Sequence, residues 1–100
     1  MGSELTMKYL KVLWSHNFPD EPVELFSEIN DDGWEVRKVE IFSDGHSDWA
    51  DTTQSKGTSM LSEKRMPSIA EIAEQPEFSP QQITPSEFEE IWRQSTTDHA

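Results

Sequence analysis

Residues 34–45 read WEVRKVEIFSDG, and this stretch decides the fold class of the chain. It is rich in the aromatic and β-branched residues that favour strands, and it ends on Asp44-Gly45, a dipeptide typical of tight hairpin turns. Apolar alternation breaks between Val36 and Val39, which predicts a bulge at Arg37-Lys38. We therefore expect a strand over 34–42 that turns back into a second strand over 46–51.

The segments that precede this hairpin also indicate strands. Residues 8–16 alternate with a period of two, and residues 17–22, with two prolines, predict a loop. Residues 23–30 fit either a strand or a helix, and the turn Asp31-Asp32-Gly33 that follows favours the strand. After the hairpin, residues 52–59 predict a polar loop, and residues 60–65 are a candidate fifth strand.

The last third of the chain carries helix signals. Ser68 with Glu71 forms a capping box, which predicts a short helix over 69–75. Residues 79–82 predict one helical turn. Thr84-Pro85 with Glu87 then opens a second helix that extends to about residue 94. On this helix Glu89 and Arg93 are spaced for an i,i+4 ion pair.

Together these segments predict an α+β fold, an antiparallel meander of four or five strands followed by two short C-terminal helices. We expect one domain over residues 7–94, an added leader over 1–6 with Met7 as the native start, and a frayed tail over 95–100. Trp14, Trp34 and Trp92 fall at inward positions of the pattern and are expected in the core.

The composition restricts the partners of the chain. Its 100 residues carry 8 basic and 20 acidic side chains, a net charge of −12, which repels nucleic acid and anionic membranes and attracts basic proteins. There is no cysteine, no apolar run long enough to span a bilayer and no signal-peptide pattern. We expect a cytoplasmic monomer that binds neither nucleic acid nor membrane.

Candidate chemical sites are few. Asp44, His46 and Asp48 alternate, so they could share one strand face and form a weak metal site, although Asp44 is also needed for the turn. The chain contains no nucleophile elbow, no zinc-protease motif and no phosphate-binding glycine loop. Adjacent acids in turns and on helices are expected to point outward, with no carboxylates converging in a pocket. We therefore predict no catalytic residues and no cofactor.

The remaining signal concerns protein binding. Trp49 lies in a short acid-flanked strand, where an exposed aromatic would suit a cationic partner. The predicted contact surface combines this side chain with acids of the neighbouring turns: Asp20, Glu21, Asp31, Asp32, Asp44, Asp48 and Trp49.

Several segments resemble a family of small bacterial proteins catalogued as a domain of unknown function. The resemblance is carried by residues 34–45, by KYLKV at 8–12 and FPDEP at 18–22, and by PEFSP at 76–80 before the terminal helix. It extends over nearly all of residues 7–94. The resemblance implies a bacterial, stand-alone domain, and it supplies no activity or catalytic residue.

The sequence leaves several functions open. The leading hypothesis is a non-enzymatic protein-binding module, of an immunity or toxin-neutralising type, because a strongly acidic domain captures basic proteins rapidly. The alternative is a small-molecule or metal-binding domain, or a minor enzyme, that uses the sheet face and the tryptophans. A scaffold domain without a specific ligand and a mimic of nucleic acid are further readings of the acidic surface.

Overall fold

A computed structural model describes residues 7–97, in which one six-stranded antiparallel sheet carries two helices. In space the strands follow the order β5-β4-β3-β2-β1-β6, so five strands form a meander and the sixth returns beside the first. The elements are β1 (Lys8–Trp14), β2 (Pro22–Ile29), β3 (Glu35–Phe42), β4 (Ser47–Asp51), β5 (Ser55–Lys56), α1 (Ile69–Ala73), β6 (Phe78–Gln82) and α2 (Pro85–Thr96).

The predicted α+β class and antiparallel meander are confirmed, and the ambiguous segment after the first loop is strand β2. The tight turn between β3 and β4 forms as expected, since Gly45 takes a φ of 94° that a residue with a Cβ rarely adopts. The predicted leader over 1–6, and residues 98–100 of the predicted tail, lie outside the described residues.

The bulge on β3 lies one residue earlier than predicted. Glu28 pairs with Arg37, while its neighbour Ile29 pairs with Glu35, so Val36 is the extra residue. In a regular strand, residues 35 and 37 would point to the same face. The bulge sends Glu35 to one face of the sheet and Arg37 to the other.

Two segments differ from the predicted secondary structure. The segment 79–82 is not a helical turn, because residues 78–82 pair with β1 as edge strand β6. Pro80 is compatible with that position, since an edge strand has unpaired backbone on its outer side. Residues 60–65 form no strand, and the fifth strand is β5, inside the predicted loop.

The two faces of the sheet have separate cores. We call one the α2 face, where α2 covers Phe26 and Val39 of the sheet with its own buried Phe88. On the other, the α1 face, the buried side chains of Leu10, Val12 and Ile29 pack with Met66, Ile72 and Phe78. Trp92 packs on the α2 face and Trp14 lies against Phe78, but Trp34, expected inward, is 39% exposed.

Both helices begin with the predicted capping boxes, Ser68 with Glu71 on α1 and Thr84 with Glu87 on α2. Helix α2 continues through Thr96, two residues beyond its predicted end at about residue 94. Ser95 is buried, and packing therefore holds this last turn.

The predicted ion pair between Glu89 and Arg93 does not form. Arg93 instead contacts Glu90, and Glu89 turns towards the sheet, where its carboxylate accepts hydrogen bonds from Arg37. The Arg37 guanidinium also donates to the buried Glu28, with 3.0 Å between Nη2 and Oε2, and lies 5.0 Å from the ring centres of Phe88 and Trp92. This arginine joins α2 to β2 and β3.

The charge states of Arg37 and Glu28 depend on each other. Burial alone would raise the pKa of Glu28, but hydrogen bonds from Arg37 and Tyr9 lower it below its ordinary value. The hydrogen bond to Glu28 in turn raises the pKa of the Arg37 guanidinium. Removing either partner would leave the other charged and poorly solvated.

We expect Arg37→Met to lower the free energy of unfolding by roughly 2–3 kcal/mol, because it leaves the Glu28 carboxylate buried without its cation. The matched control is Arg93→Met, whose ion pair with Glu90 is exposed and should contribute much less. Urea denaturation of both variants measures the difference. Equal losses would show that Arg37 acts as an ordinary surface charge.

Candidate functional site

The predicted acidic contact residues lie at opposite ends of the sheet. Asp31 and Asp32 are exposed in the β2–β3 turn, whereas Asp20 and Glu21 lie in the β1–β2 loop. Pairing of Pro22 with Phe42 brings that loop to the same end as the β3–β4 turn, which carries Asp44. The meander therefore separates Asp31 and Asp32 from the other acids.

Two predicted contact residues are not on an accessible acidic surface. Asp48 is only 7% exposed, because it points to the α1 face and accepts hydrogen bonds from the backbone and hydroxyl of Thr58. A Cβ on Gly57 would lie 2.2 Å from the Asp48 carboxyl carbon, so the covering chain can approach only as glycine. Trp49 points to the α2 face, where its ring packs edge-on against Trp92 at 5.4 Å.

The candidate metal residues do not converge on one point. The Nδ1 atom of His46 lies 2.5 Å from Asp44, whereas its Nε2 atom lies 4.0 Å from Asp48. The two carboxylates thus approach opposite sides of the ring. Hydrogen bonds from the His46 backbone and ring lower the pKa of Asp44, which fits its role in the turn. Within residues 7–97, no three acidic or histidine side chains cluster as a metal site.

Three strand carboxylates, those of Glu28, Glu35 and Asp48, are buried within the fold instead of lying on its outside. Glu40 is half-buried and pairs across the strands with Asp48. Burial raises the pKa of Glu40, and the nearby ammonium of Lys38 offsets only part of that effect. Strand alternation alone could not reveal the burial of Glu35, Glu40 and Asp48, because residues 57–66, which we call the strap, cover the α1 face at these residues.

At the end of the sheet that carries the β1–β2 loop, the exposed aromatic side chain is Phe18, whereas Trp49 is covered by α2. Its side chain is 62% exposed and lies in the loop that carries Asp20 and Glu21. We call Phe18, Asp20, Glu21 and Asp44 the acidic end. The sequence signal for Phe18 was its place in a proline-punctuated loop, where no strand face can bury it.

His16 holds the Phe18 loop in one conformation. The Phe18 amide donates to His16 Nδ1 at 2.9 Å, so that nitrogen carries no proton. The other nitrogen, Nε2, therefore donates to the carbonyl of Pro22 at 2.8 Å. The rings of His16 and Phe18 also stack, with centres 5.4 Å apart. One neutral tautomer thus satisfies both contacts and fixes the loop.

A second candidate site is a groove on the α1 face. It has a volume of about 480 Å³ and lies between the sheet, the strap and α1. Its floor is apolar, and one end is polar, where Ser27 and the strap residue Ser62 donate to the buried carboxylate of Glu35 at 2.6 and 2.9 Å. Lys38 lies beside them, with its Nζ 2.9 Å from the carbonyl of Met60.

These features define an α+β domain with a six-stranded antiparallel sheet, an acidic end and a groove with one polar end. The chain belongs to the family described as a domain of unknown function (DUF6881), whose sequence model matches residues 8–97. The predicted family resemblance is thereby confirmed. Neither the curated proteins nor the solved structures gave a match. Neither helix of the described residues, 7–97, has the length and apolar character that a membrane span requires.

Two matched substitutions test the buried charges. Because the pKa of Glu40 is raised, its ionised form destabilises the fold near neutral pH, and Glu40→Gln should raise the unfolding midpoint by a few degrees. Because the pKa of Glu28 is lowered, its ionised form stabilises the fold, and Glu28→Gln should lower that midpoint.

Thermal unfolding at about pH 7 and about pH 4 separates the two effects. Both should shrink at the lower pH. As the pH falls, Glu40, whose pKa is raised, becomes protonated in the folded chain first, whereas Glu28, whose pKa is lowered, becomes protonated in the unfolded chain first. A Glu40→Gln variant that is less stable than the parent near pH 7 would contradict the burial argument.

The His16 contact predicts slower hydrogen exchange at Phe18. In His16→Ala the Phe18 amide should exchange about fivefold faster, since a hydrogen bond contributes about 1 kcal/mol. The internal control is the Ser15 amide, which donates to the carbonyl of Glu77 and not to His16. Exchange measured by nuclear magnetic resonance reports both sites, and unchanged protection of Phe18 would refute the proposed tether.

Proposed function

We propose that this domain is a non-enzymatic protein-binding module whose acidic end binds a basic partner. The single observation that supports it most is Phe18, a large aromatic side chain held outward in a fixed loop. Exposed aromatic residues surrounded by polar groups are common binding hot spots. Since His16 already fixes the loop, little conformational entropy remains to be lost on association.

The surrounding charges favour a basic partner. Asp20, Glu21 and Asp44 are exposed at this end, and the pKa of Asp44 is lowered, so its carboxylate is ionised at neutral pH. A net charge of −12 adds a long-range field that steers cationic proteins towards the domain. Such complementarity increases the association rate and makes it sensitive to salt.

A non-enzymatic role is supported by the placement of the buried acids. Glu40 and Asp48 lie beneath the strap, and Glu35, which does reach the groove, is held by Ser27 and Ser62. General acid–base catalysis requires a group that can reach a substrate proton. In the described part of the chain Glu40 and Asp48 are thus covered, and the Glu35 carboxylate is held in place by two donors of the fold.

We further propose that the domain works as a monomer in the bacterial cytoplasm, without binding nucleic acid or membrane. A basic toxin is the class of partner that suits it best, as in an immunity or toxin-neutralising protein. The support for this is the charge, because rapid capture of a cationic enzyme needs a dense acidic surface more than a large apolar one.

The test compares two charge-matched variants in pull-downs from an extract of the native host. Asp20→Asn/Glu21→Gln/Asp44→Asn alters the acidic end, and Asp31→Asn/Asp32→Asn/Glu63→Gln alters acids elsewhere. Each removes three negative charges, from −12 to −9. We expect only the first to lose the partner, because local charge and not net charge sets the docking site.

A third variant isolates the aromatic contact. Phe18→Ala should weaken binding of the recovered partner by roughly 2 kcal/mol, or about thirtyfold in Kd. Titration calorimetry gives this value. Recovery of no partner at low salt, or an equal loss in both triple variants, would refute the proposed site.

A further inference from the structure

We propose that the groove on the α1 face is a binding site for a small neutral amphipathic molecule with an amide-like head. This site is independent of the acidic end, which lies on the loops at one end of the sheet. Its volume of about 480 Å³ falls within the range of small-molecule pockets. The chemistry of its two ends identifies the class of ligand.

The floor of the groove would receive an apolar body. Leu10 and Val12 of β1 and Leu25 of β2 line it from the sheet, and Ile72 of α1 and Phe78 of β6 line its sides. These side chains are aliphatic or aromatic and come from four different elements. An acyl chain or a comparable apolar group would bury its surface against them.

The polar end would receive a head that both accepts and donates hydrogen bonds. The Lys38 ammonium uses one proton on the carbonyl of Met60 and lies 3.5 Å from Glu35, so a further proton can be donated. The Ser27 hydroxyl donates to Glu35 and keeps its own acceptor capacity, as does the carboxylate. An amide carbonyl would accept a hydrogen bond from Lys38, and an amide N–H would donate to Ser27 or Glu35.

The charges at this end favour a neutral head. Glu35 and Lys38 lie 3.5 Å apart and offset each other, and Glu71, the other ionisable residue that lines the groove, lies on α1 with its carboxylate bound to the Ser68 amide. A carboxylate head would approach the buried Glu35, and an ammonium head would approach Lys38. Beside a carboxylate that is almost fully buried either contact is unfavourable, whereas a neutral head exploits both partners.

Helix α1 offers a route for entry. It has only five residues, none of them buried, and it is too short to be stable without packing. The α1 wall of the groove is therefore weakly held, and a small outward displacement would open the apolar part without disturbing the sheet.

The test uses three probes with the same eight-carbon chain: octanamide, octanoate and octylamine. Each is titrated into the full chain, and amide shifts are followed by nuclear magnetic resonance. We expect saturable shifts at Leu10, Val12, Leu25 and Ser27, with octanamide bound at least about fivefold more tightly than either charged probe. Equal or tighter binding of octanoate or octylamine, or no saturable shift at these residues, would overturn the proposal.

A charge variant gives a second readout. Lys38→Met keeps an apolar stem but removes the cation, so octylamine should gain on octanamide and reverse the preference. The control is Lys11→Met, the same change on the α2 face, where Lys11 lies over the ring of Phe26. This variant should keep the order of the three probes. An unchanged preference in folded Lys38→Met would overturn the assignment of the head. If that variant does not fold, the three probes on the unaltered chain decide the question.

Discussion

The guanidinium of Arg37 is the contact on which the two layers of this protein depend. It accounts for the burial of the Glu28 carboxylate, for the direction of Glu89 and for the stacked position of Phe88 and Trp92. Helix α2 has twelve residues and contacts the sheet through Phe88, Ile91 and Trp92, and so short a helix depends on such tertiary contacts. The arginine adds charge, hydrogen bonds and ring contacts at one point.

The bulge at Val36 determines where the charges of β3 act. Without it, Glu35 and Arg37 would share one face and neutralise each other there. With it, Arg37 serves the α2 face, and Glu35 serves the α1 face beside Lys38. One extra residue in β3 thus places Arg37 in the ion pairs of the α2 face and Glu35 at the polar end of the groove on the α1 face.

The sequence predicted those elements whose signals are local. Both capping boxes, the Asp44-Gly45 turn and the alternating strands formed because a few neighbouring residues determine them. Strand β6 was missed because Ser79-Pro80 resembles a helix start, and only its pairing with β1 overrides that preference. A local preference for helix is overridden where the edge of a strand is available for backbone pairing.

The candidate sites were harder to predict because they depend on chain far away in sequence. Asp48 follows an exposed turn and has a polar neighbourhood, and only the strap, about ten residues later, buries it. Trp49 likewise lies between Asp48 and Asp51 in the sequence, yet the partner that covers it is Trp92 on the last helix. A residue's sequence neighbours describe its strand, and its exposure is decided by whichever distant segment crosses that strand.

The ion pair between the buried Glu35 and the partly exposed Lys38 is poorly explained by stability. Removing two charges from water costs about as much as their attraction returns, and apolar side chains of similar size often stabilise a fold more. The leucine and valine side chains of the neighbouring floor show that this face accepts apolar residues. The pair also lies at the border of a cavity instead of in a packed centre. A polar end in such a position is better explained by recognition of a ligand than by folding alone.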